Sequence, residues 1–226
     1  DAASFADRTF RPAIGQLGAR ACTRTVPLYR VHVTHNVSGV ISKHMATFCS
    51  AEAAIAAIAR GELVVVVDDD DRENEGDLIG CAELATAEKL AFVVRYSSGV
   101  VCVPAPAARL EALELEALES EYRDPNCTAF CMPVDFRHGT TTGVSAADRA
   151  ATVVAMASPN AVPSDFFRPG HVFPLRAVSG GVLERRGHTE ACVDLCALAG
   201  CGAAVGYIAE MCNDDGTMSR LPELRV

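Results

Sequence analysis

Five apolar residues, Leu63-Val-Val-Val-Val67, run without a break into Asp68-Asp-Asp-Asp71. A short β-branched stretch with no polar position has no solvent face, so it reads as a central strand buried on both sides. The acids that follow cannot enter a core unpaired, so the strand end must open onto solvent or onto a site. From Asp68 to Asp77 there are seven acids (Asp68, Asp69, Asp70, Asp71, Glu73, Glu75, Asp77) and one base, Arg72. Carboxylates this crowded repel one another. A cation relieves the repulsion, and hard oxygen ligands select Mg²⁺, Mn²⁺ or Ca²⁺; a solvated acidic loop is the plain alternative. A calcium hand is excluded, because the twelfth position counted from Asp71 is Ala82, where a bidentate Glu is required, and a strand leads in.

The cluster also explains the charge. With 20 Lys+Arg against 29 Asp+Glu the net charge is −9, of which the cluster supplies −6. That balance speaks against a nucleic-acid partner, which needs a basic face. No apolar run approaches the roughly 18–20 residues that span a bilayer, so no membrane partner is expected. A chain of 226 residues, half of them apolar, can bury one ample core. Its ten cysteines lie scattered through Ala- and Val-rich segments and read as reduced, mostly buried thiols rather than a disulfide framework. The spacings Cys127-x3-Cys131 and Cys192-x3-Cys196 superficially suit zinc, but the second pair falls on a helix where Cys serves as a small hydrophobe.

Residues 1–44 read as a basic N-terminal extension; from Arg8 to Ala51 there is no acid at all. That is the composition of an organellar transit peptide, or of an extension with no targeting role, in which case the protein is cytoplasmic. Regular patterning starts after Met45, and residues 45–226 read as a single α+β domain, a mixed β-sheet flanked by helices. A helix is expected from the Ser50 cap to Gly61, strands at Leu63–Val67 and Leu78–Leu84, and a helix from Thr86 to about Tyr96. A strand at Val100–Val103 is closed by Pro104, and Ala107–Glu119 reads as a helix with a solvated Glu face. Cys127–Phe136 reads as a strand, Ser145-Ala-Ala-Asp148 as a capping box opening a helix to Ala157. Thr189–Ala199 follows as a helix and Ala203–Met211 as a strand.

Two loops have the composition of anion sites. Arg185-Arg186-Gly187-His188-Thr189 combines guanidiniums, a glycine and the free amides of a helix start, and His188 could also ligate a metal. Thr140-Thr141-Thr142-Gly143 precedes the Ser145 helix, with Arg149 one turn in. Each is equally an ordinary helix start. Gly200-x-Gly202 is not a dinucleotide loop, since it follows a helix and enters a strand, and Gly143-Val-Ser145 lacks the last glycine of a nucleophile elbow.

Six segments in order resemble 3,4-dihydroxy-2-butanone 4-phosphate synthases: Val67-Asp-Asp-Asp-Asp-Arg-Glu-Asn-Glu-Gly-Asp77, Arg95-Tyr-Ser-Ser-Gly-Val-Val-Cys-Val-Pro104, Gly139-Thr-Thr-Thr-Gly-Val-Ser-Ala-Ala-Asp-Arg149, Arg168-Pro-Gly-His-Val-Phe-Pro-Leu-Arg-Ala177, Arg186-Gly-His-Thr-Glu190 and Asn213-Asp-Asp-Gly-Thr-Met218. The resemblance spans Thr47 to Glu223. It implies a lyase that converts D-ribulose 5-phosphate to L-3,4-dihydroxy-2-butanone 4-phosphate and formate for riboflavin biosynthesis. It implies two Mg²⁺ ions, with Mn²⁺ as a substitute, and a homodimer with sites at the subunit interface. It makes Glu73 and His188 metal ligands, and Arg72, Glu73, Asp77, Thr142, Arg185, Arg186, Gly187, His188, Thr189 and Glu210 substrate-binding. Glu73, Asp77, His171 and Glu210 become catalytic, with Cys102 lining the pocket. Enediol chemistry would use Asp77 or Glu75 as the base at C3. Relatives usually continue beyond the position of Val226, so a longer protein or a fusion to GTP cyclohydrolase II is expected. A degenerate binding module and a Mg²⁺-dependent sugar-phosphate isomerase or aldolase are the competing functions.

Overall fold

Ser50 stops the chain from entering helix one residue early: its hydroxyl accepts from the Ala53 amide, and α1 runs Ala51–Ala59. Gly61, at φ +77°, turns the chain out of it. The computed structural model describes residues 30–33, 48–118 and 128–225. Most of the acid-poor extension, Met45, Cys127 and the expected helix end at Glu119 lie outside them.

After α1 come β2 (Val64–Val67), β3 (Gly76–Cys81), α2 (Ala87–Tyr96), β4 (Cys102–Ala105), α3 (Ala107–Ala112), β5 (Val134–Phe136), α4 (Ala146–Ala157), β6 (Phe166–Arg176), α5 (His188–Leu198) and β7 (Gly206–Glu210). A further strand, β1 (Arg30–Val33), lies inside the basic extension and pairs antiparallel with β2. Among the described residues, seven strands form one sheet in the order β1-β2-β3-β7-β4-β6-β5. Among the described strands β4 and β6 pair parallel and the other pairs are antiparallel, so the sheet is mixed as expected.

The valines of β2 show why the strand tolerates no polar residue. Val64 and Val66 join the core that α1 and α5 cover, while Val65 and Val67 join the core under α2, α3 and α4. The sheet therefore has a helical layer on each face, and each β2 side chain is removed from water. Ile58 anchors α1 with no exposed surface; truncating such a residue to Ala costs about 2–5 kcal/mol.

Several expected boundaries move. β4 continues through Pro104, because Val101 and Ala105 bond toward β6 while Pro104 faces the β7 side, where pairing ends at Cys102. The missing amide therefore costs no ladder bond. α3 stops at Ala112 rather than Glu119: Glu114 adopts φ +53°, which lets Leu113 and Leu115 both enter the core. The expected 127–136 strand shrinks to β5, and Leu78–Leu84 becomes β3 followed by a 3₁₀ turn over Ala82–Leu84. Ser145 does cap α4 by accepting from Asp148 N, but the Asp148 carboxylate does not complete the capping box. It accepts from Thr141 N, Thr141 Oγ1 and Gly143 N instead.

Candidate functional site

The acidic segment is a built turn. Asp68, at the end of β2, accepts from Glu73 N at 3.0 Å and Glu75 N at 2.8 Å, and its Oδ2 takes Arg72 Nη1 at 2.8 Å. Arg72 donates to Glu73 as well. The turn passes through Asn74 at φ +53°. From below, Arg220 donates to the carbonyls of Glu73 and Asn74 and lies 3.4 Å from a Glu75 carboxylate oxygen. The segment then enters β3, where Asp77 stands opposite Val66 on one side and Glu210 on the other.

α5 comes to the same place from the other direction. Its first residue, His188, is almost wholly buried, with Nδ1 3.7 Å from Glu73 Oε2 and 3.6 Å from Asp77 Oδ1. Burial works against a charge on this ring, yet the carboxylates of Asp77, Glu73 and Asp68 outweigh it and hold the pKa up at about 9. Burial pushes the Asp77 carboxyl up to about 6, and it raises Glu75 and Glu210 as well. Glu73 moves the other way, held below the usual range by the His188 ring beside it and by the Arg72 charge.

Asp77, Glu73, Glu75, Arg72, His188, Thr189, Arg185, Glu210 and Cys102 line one cavity of about 370 Å³. Thr128, Phe130 and the apolar side chains of Val100, Leu175 and Ile208 complete it. Two buried atoms here have no hydrogen-bond partner, Asp77 Oδ1 and His188 Nε2. Buried polar atoms are rarely left so. Ligand atoms of Asp68, Glu73 and His188 also come within 4.8 Å of one another. Two carboxylates and an imidazole converging beside unpartnered polar atoms fit a hard divalent cation.

Other expected residues fall elsewhere. The guanidinium of Arg185 reaches Glu190 Oε2 at 2.6 Å and Thr128 Oγ1 at 3.2 Å. Gly187 leaves the room for this, since a Cβ there would stand 2.2 Å from Arg185 Nη1. Arg186 points outward to Asp69, 3.6 Å away, and neither it nor Gly187 lines the cavity. The Thr140–Gly143 cradle is filled by the carboxylate of Asp148, and Arg149 donates to Gly99 O. Thr142 is exposed and does not line the cavity. His171, on β6, is absent from the lining too. It is half-exposed, its Nδ1 2.7 Å from Asp135 Oδ2 and its amide bonded to Asp135 Oδ1. Asp135 also abuts Gly143, whose missing Cβ leaves it room. His171 and the 140–143 loop therefore form a second polar group around Asp135.

Sequence reasoning passes over four members of the site. Asp68 was one acid among seven, and only the fold shows that it organises the turn. Thr128 and Phe130 belong to a stretch read as a strand, and nothing in their spacing marks them. Glu190 stands out in the sequence only as part of a motif, although it is the buried partner that orients Arg185.

Residues 52–226 match the family model described as 3,4-dihydroxy-2-butanone 4-phosphate synthase. A protein of that name from Agrobacterium fabrum is 53% identical over 180 residues, 80% of this chain and 84% of the relative. A bifunctional riboflavin biosynthesis protein of Arabidopsis thaliana, described as chloroplastic, is 54% identical over 180 residues; these are 79% of this chain but 33% of that protein. Among solved structures, a 3,4-dihydroxy-2-butanone 4-phosphate synthase in complex with two magnesium ions superposes with a TM-score of 0.72 at 52% identity, covering 74% of this chain and 77% of the other. Matched in sequence across its folded core and in structure to a relative that shares half its residues, the chain belongs to the 3,4-dihydroxy-2-butanone 4-phosphate synthase family.

Proposed function

We propose that this chain is the lyase that converts D-ribulose 5-phosphate to L-3,4-dihydroxy-2-butanone 4-phosphate and formate, with residues 45–226 as its catalytic domain. The observation that carries the reading is the pair of orphaned buried atoms, Asp77 Oδ1 and His188 Nε2, in a cavity that also holds Glu73 and Glu210. Glu73 and His188 would hold two Mg²⁺ ions, or Mn²⁺ in their place, with Asp68 beside them. Bound there, the metal supplies Lewis acidity at the ketone and adjoining hydroxyls of the sugar.

The chain's own groups account for the rest. The phosphate of the substrate is taken at the start of α5, where the free amides of His188 and Thr189 and the Arg185 guanidinium favour an anion. Arg186 and Gly187 shape that loop. Arg72 balances the acidic turn and binds a sugar hydroxyl. Asp77 takes the proton at C3, since burial lifts its carboxyl to about 6, toward the range where a general base works best. Glu75 is the alternative base, with its carboxyl also raised by burial. Glu210 carries protons in the later dehydration, carbon migration and hydration that precede loss of formate. Cys102 stays a thiol, since burial pushes its pKa up to about 12, and it serves as wall rather than nucleophile.

His171 and Thr142 belong to the same reaction in a homodimer whose sites lie between subunits. His171 is held by Asp135, which also abuts Gly143 next to Thr142, and both residues lie outside the cavity lining of their own chain, which supports delivery into the cavity of a second copy. The one-third coverage of the bifunctional Arabidopsis relative supports reading the chain as the synthase half of a fusion with GTP cyclohydrolase II. The chloroplastic relatives and the acid-poor extension support a plastid address, testable by fusing residues 1–44 to a fluorescent protein.

The decisive experiment is incubation of the purified chain with ribulose 5-phosphate, with and without EDTA. Metal-dependent formate supports the synthase. Binding without turnover identifies a non-catalytic homologue, and sugar products without formate identify an isomerase or aldolase.

A further inference from the structure

At the far ends of the two elements that build the cavity lies a second cluster. β3 carries Asp77 and, four residues on, Cys81; α5 carries His188 and, eight residues on, Cys196. At about 3.3 Å per strand residue and 1.5 Å per helical residue, each thiol is about 12–13 Å along its element from the acidic site. Cys201 comes in from the loop between α5 and β7. The sulfur atoms of Cys81, Cys196 and Cys201 lie within 4.8 Å of one another, and all three residues are buried. Cys192 is one helical turn before Cys196, on the same face of α5. All four are free thiols.

The surroundings keep this space for sulfur. A Cβ on Gly206 would stand 2.3 Å from Cys192 Sγ and 2.9 Å from Cys196 Sγ. The loop that carries Cys201 is tied back to the turn after Cys81, with Gly202 N donating to both oxygens of Glu83 at 3.3 Å. The Lys89 ammonium lies close enough to Cys81 for their charges to interact, which offsets part of the negative charge that several thiolates would carry. Three sulfurs converging from a strand, a helix and a loop are the donor set of a thiophilic d¹⁰ ion, and hard Mg²⁺ has no affinity for it.

We propose that Cys81, Cys196 and Cys201 form a thiolate site for a single Zn²⁺ or Cu⁺ ion, separate from the acidic cavity, with Cys192 one helical turn from Cys196. Each ligating thiol gives up its proton to solvent as the bond to the metal forms. The ion would staple β3, α5 and the α5–β7 loop together behind the cavity. The spacing Cys192-x3-Cys196 by itself did not reveal this, because two of the three converging sulfurs come from outside the helix.

The test uses the whole chain, reduced and metal-free, in excess Mg²⁺ so that the acidic cavity is saturated. Zn²⁺ and, under anaerobic conditions, Cu⁺ are each titrated against a chromophoric chelator. The expected result is one equivalent bound with three or four sulfur neighbours at about 2.3 Å by X-ray absorption for Zn²⁺, or a sulfur-only shell for Cu⁺. Whichever ion binds tighter names the occupant. Cys81→Ser and Cys201→Ser abolish that equivalent, whereas Cys212→Ser and Glu73→Gln retain it. Failure to hold an equivalent of either ion, a shell of nitrogen and oxygen, or binding that survives both cysteine variants overturns the proposal. The sulfur count on the unmodified protein decides the matter if the variants do not fold.

Discussion

Asp77 and Glu210 stand directly opposite each other in the β3–β7 ladder, two carboxylates on neighbouring strands facing one cavity. Burial raises both, and the charge of Asp77 raises Glu210 further. Like charges paired this way are destabilising in an ordinary sheet. Here burial in the cavity raises both carboxyls, Asp77 to about 6, so neither ionises as readily as a surface carboxylate.

Asp77→Asn removes the proposed base while preserving shape. Formate release from ribulose 5-phosphate should fall by about 10²–10⁴-fold, the range for a lost general base, with the circular dichroism spectrum unchanged. Glu75→Gln should cost far less. If the two losses were reversed, the base would be Glu75.

Because the proposed dimer draws His171 from one chain and Asp77 from the other, two inactive variants should rescue each other. His171→Ala mixed with Asp77→Asn, unfolded together and refolded, should recover about a quarter of the unmodified activity. Half of the random dimers are then mixed, and each carries one intact site of two. If all catalytic groups came from one chain, the mixture would stay inactive.

The metal-free protein should lose stability as pH rises. Both His188, held up at about 9 from 6.5, and Asp77, at about 6 from 3.8, bind protons more tightly folded than unfolded. Stability from such groups is complete below the unfolded pKa and disappears as pH climbs through the folded one. In EDTA the thermal midpoint should therefore drop by a few degrees between pH 6.5 and 9.5, and His188→Gln should flatten that slope. A midpoint that rises across this range would contradict the cause assigned here.

Arg185 and Glu190 form a buried ion pair, with Glu190 side chain only 1% exposed. Arg185→Leu strands that carboxylate and should cost about 3–5 kcal/mol. Arg185→Leu with Glu190→Leu should recover most of the stability but not the affinity for ribulose 5-phosphate. Urea unfolding measures the first and isothermal titration the second.

Gly170 precedes His171, and a Cβ there would lie 2.0 Å from the Val134 carbonyl carbon and 2.3 Å from Asp135 N. Gly170→Ala must push β5 away from β6, costing roughly 1–3 kcal/mol or more. Since Asp135 orients His171, activity should fall more steeply than stability, as read by formate release beside thermal unfolding.

Local chemistry made the acidic site legible. Leu63–Val67 announced a strand buried on both faces, and acids at its end needed a reason to be there. The caps at Ser50, Thr86 and Ser145 were equally readable, since each satisfies an amide within three residues. What could not be read was decided by contacts distant in sequence. The α3 helix stops early because the core takes both Leu113 and Leu115. The threonine loop looked like an anion cradle, and it is one, but a carboxylate of its own chain fills it. Arg185 and Arg186 looked interchangeable, and only the buried Glu190 separates them.

Arg220 donates to the backbone of Glu73 and Asn74 from a point 147 and 146 residues later in the chain. The local bonds of Asp68 shape the acidic turn, and the C-terminal segment must dock before its outer carbonyls are also held. During synthesis those two bonds cannot form until residue 220 has emerged, long after the acidic segment itself. Anyone cutting the gene into modules should treat the residues around Arg220 as inseparable from the strand that begins at Val64.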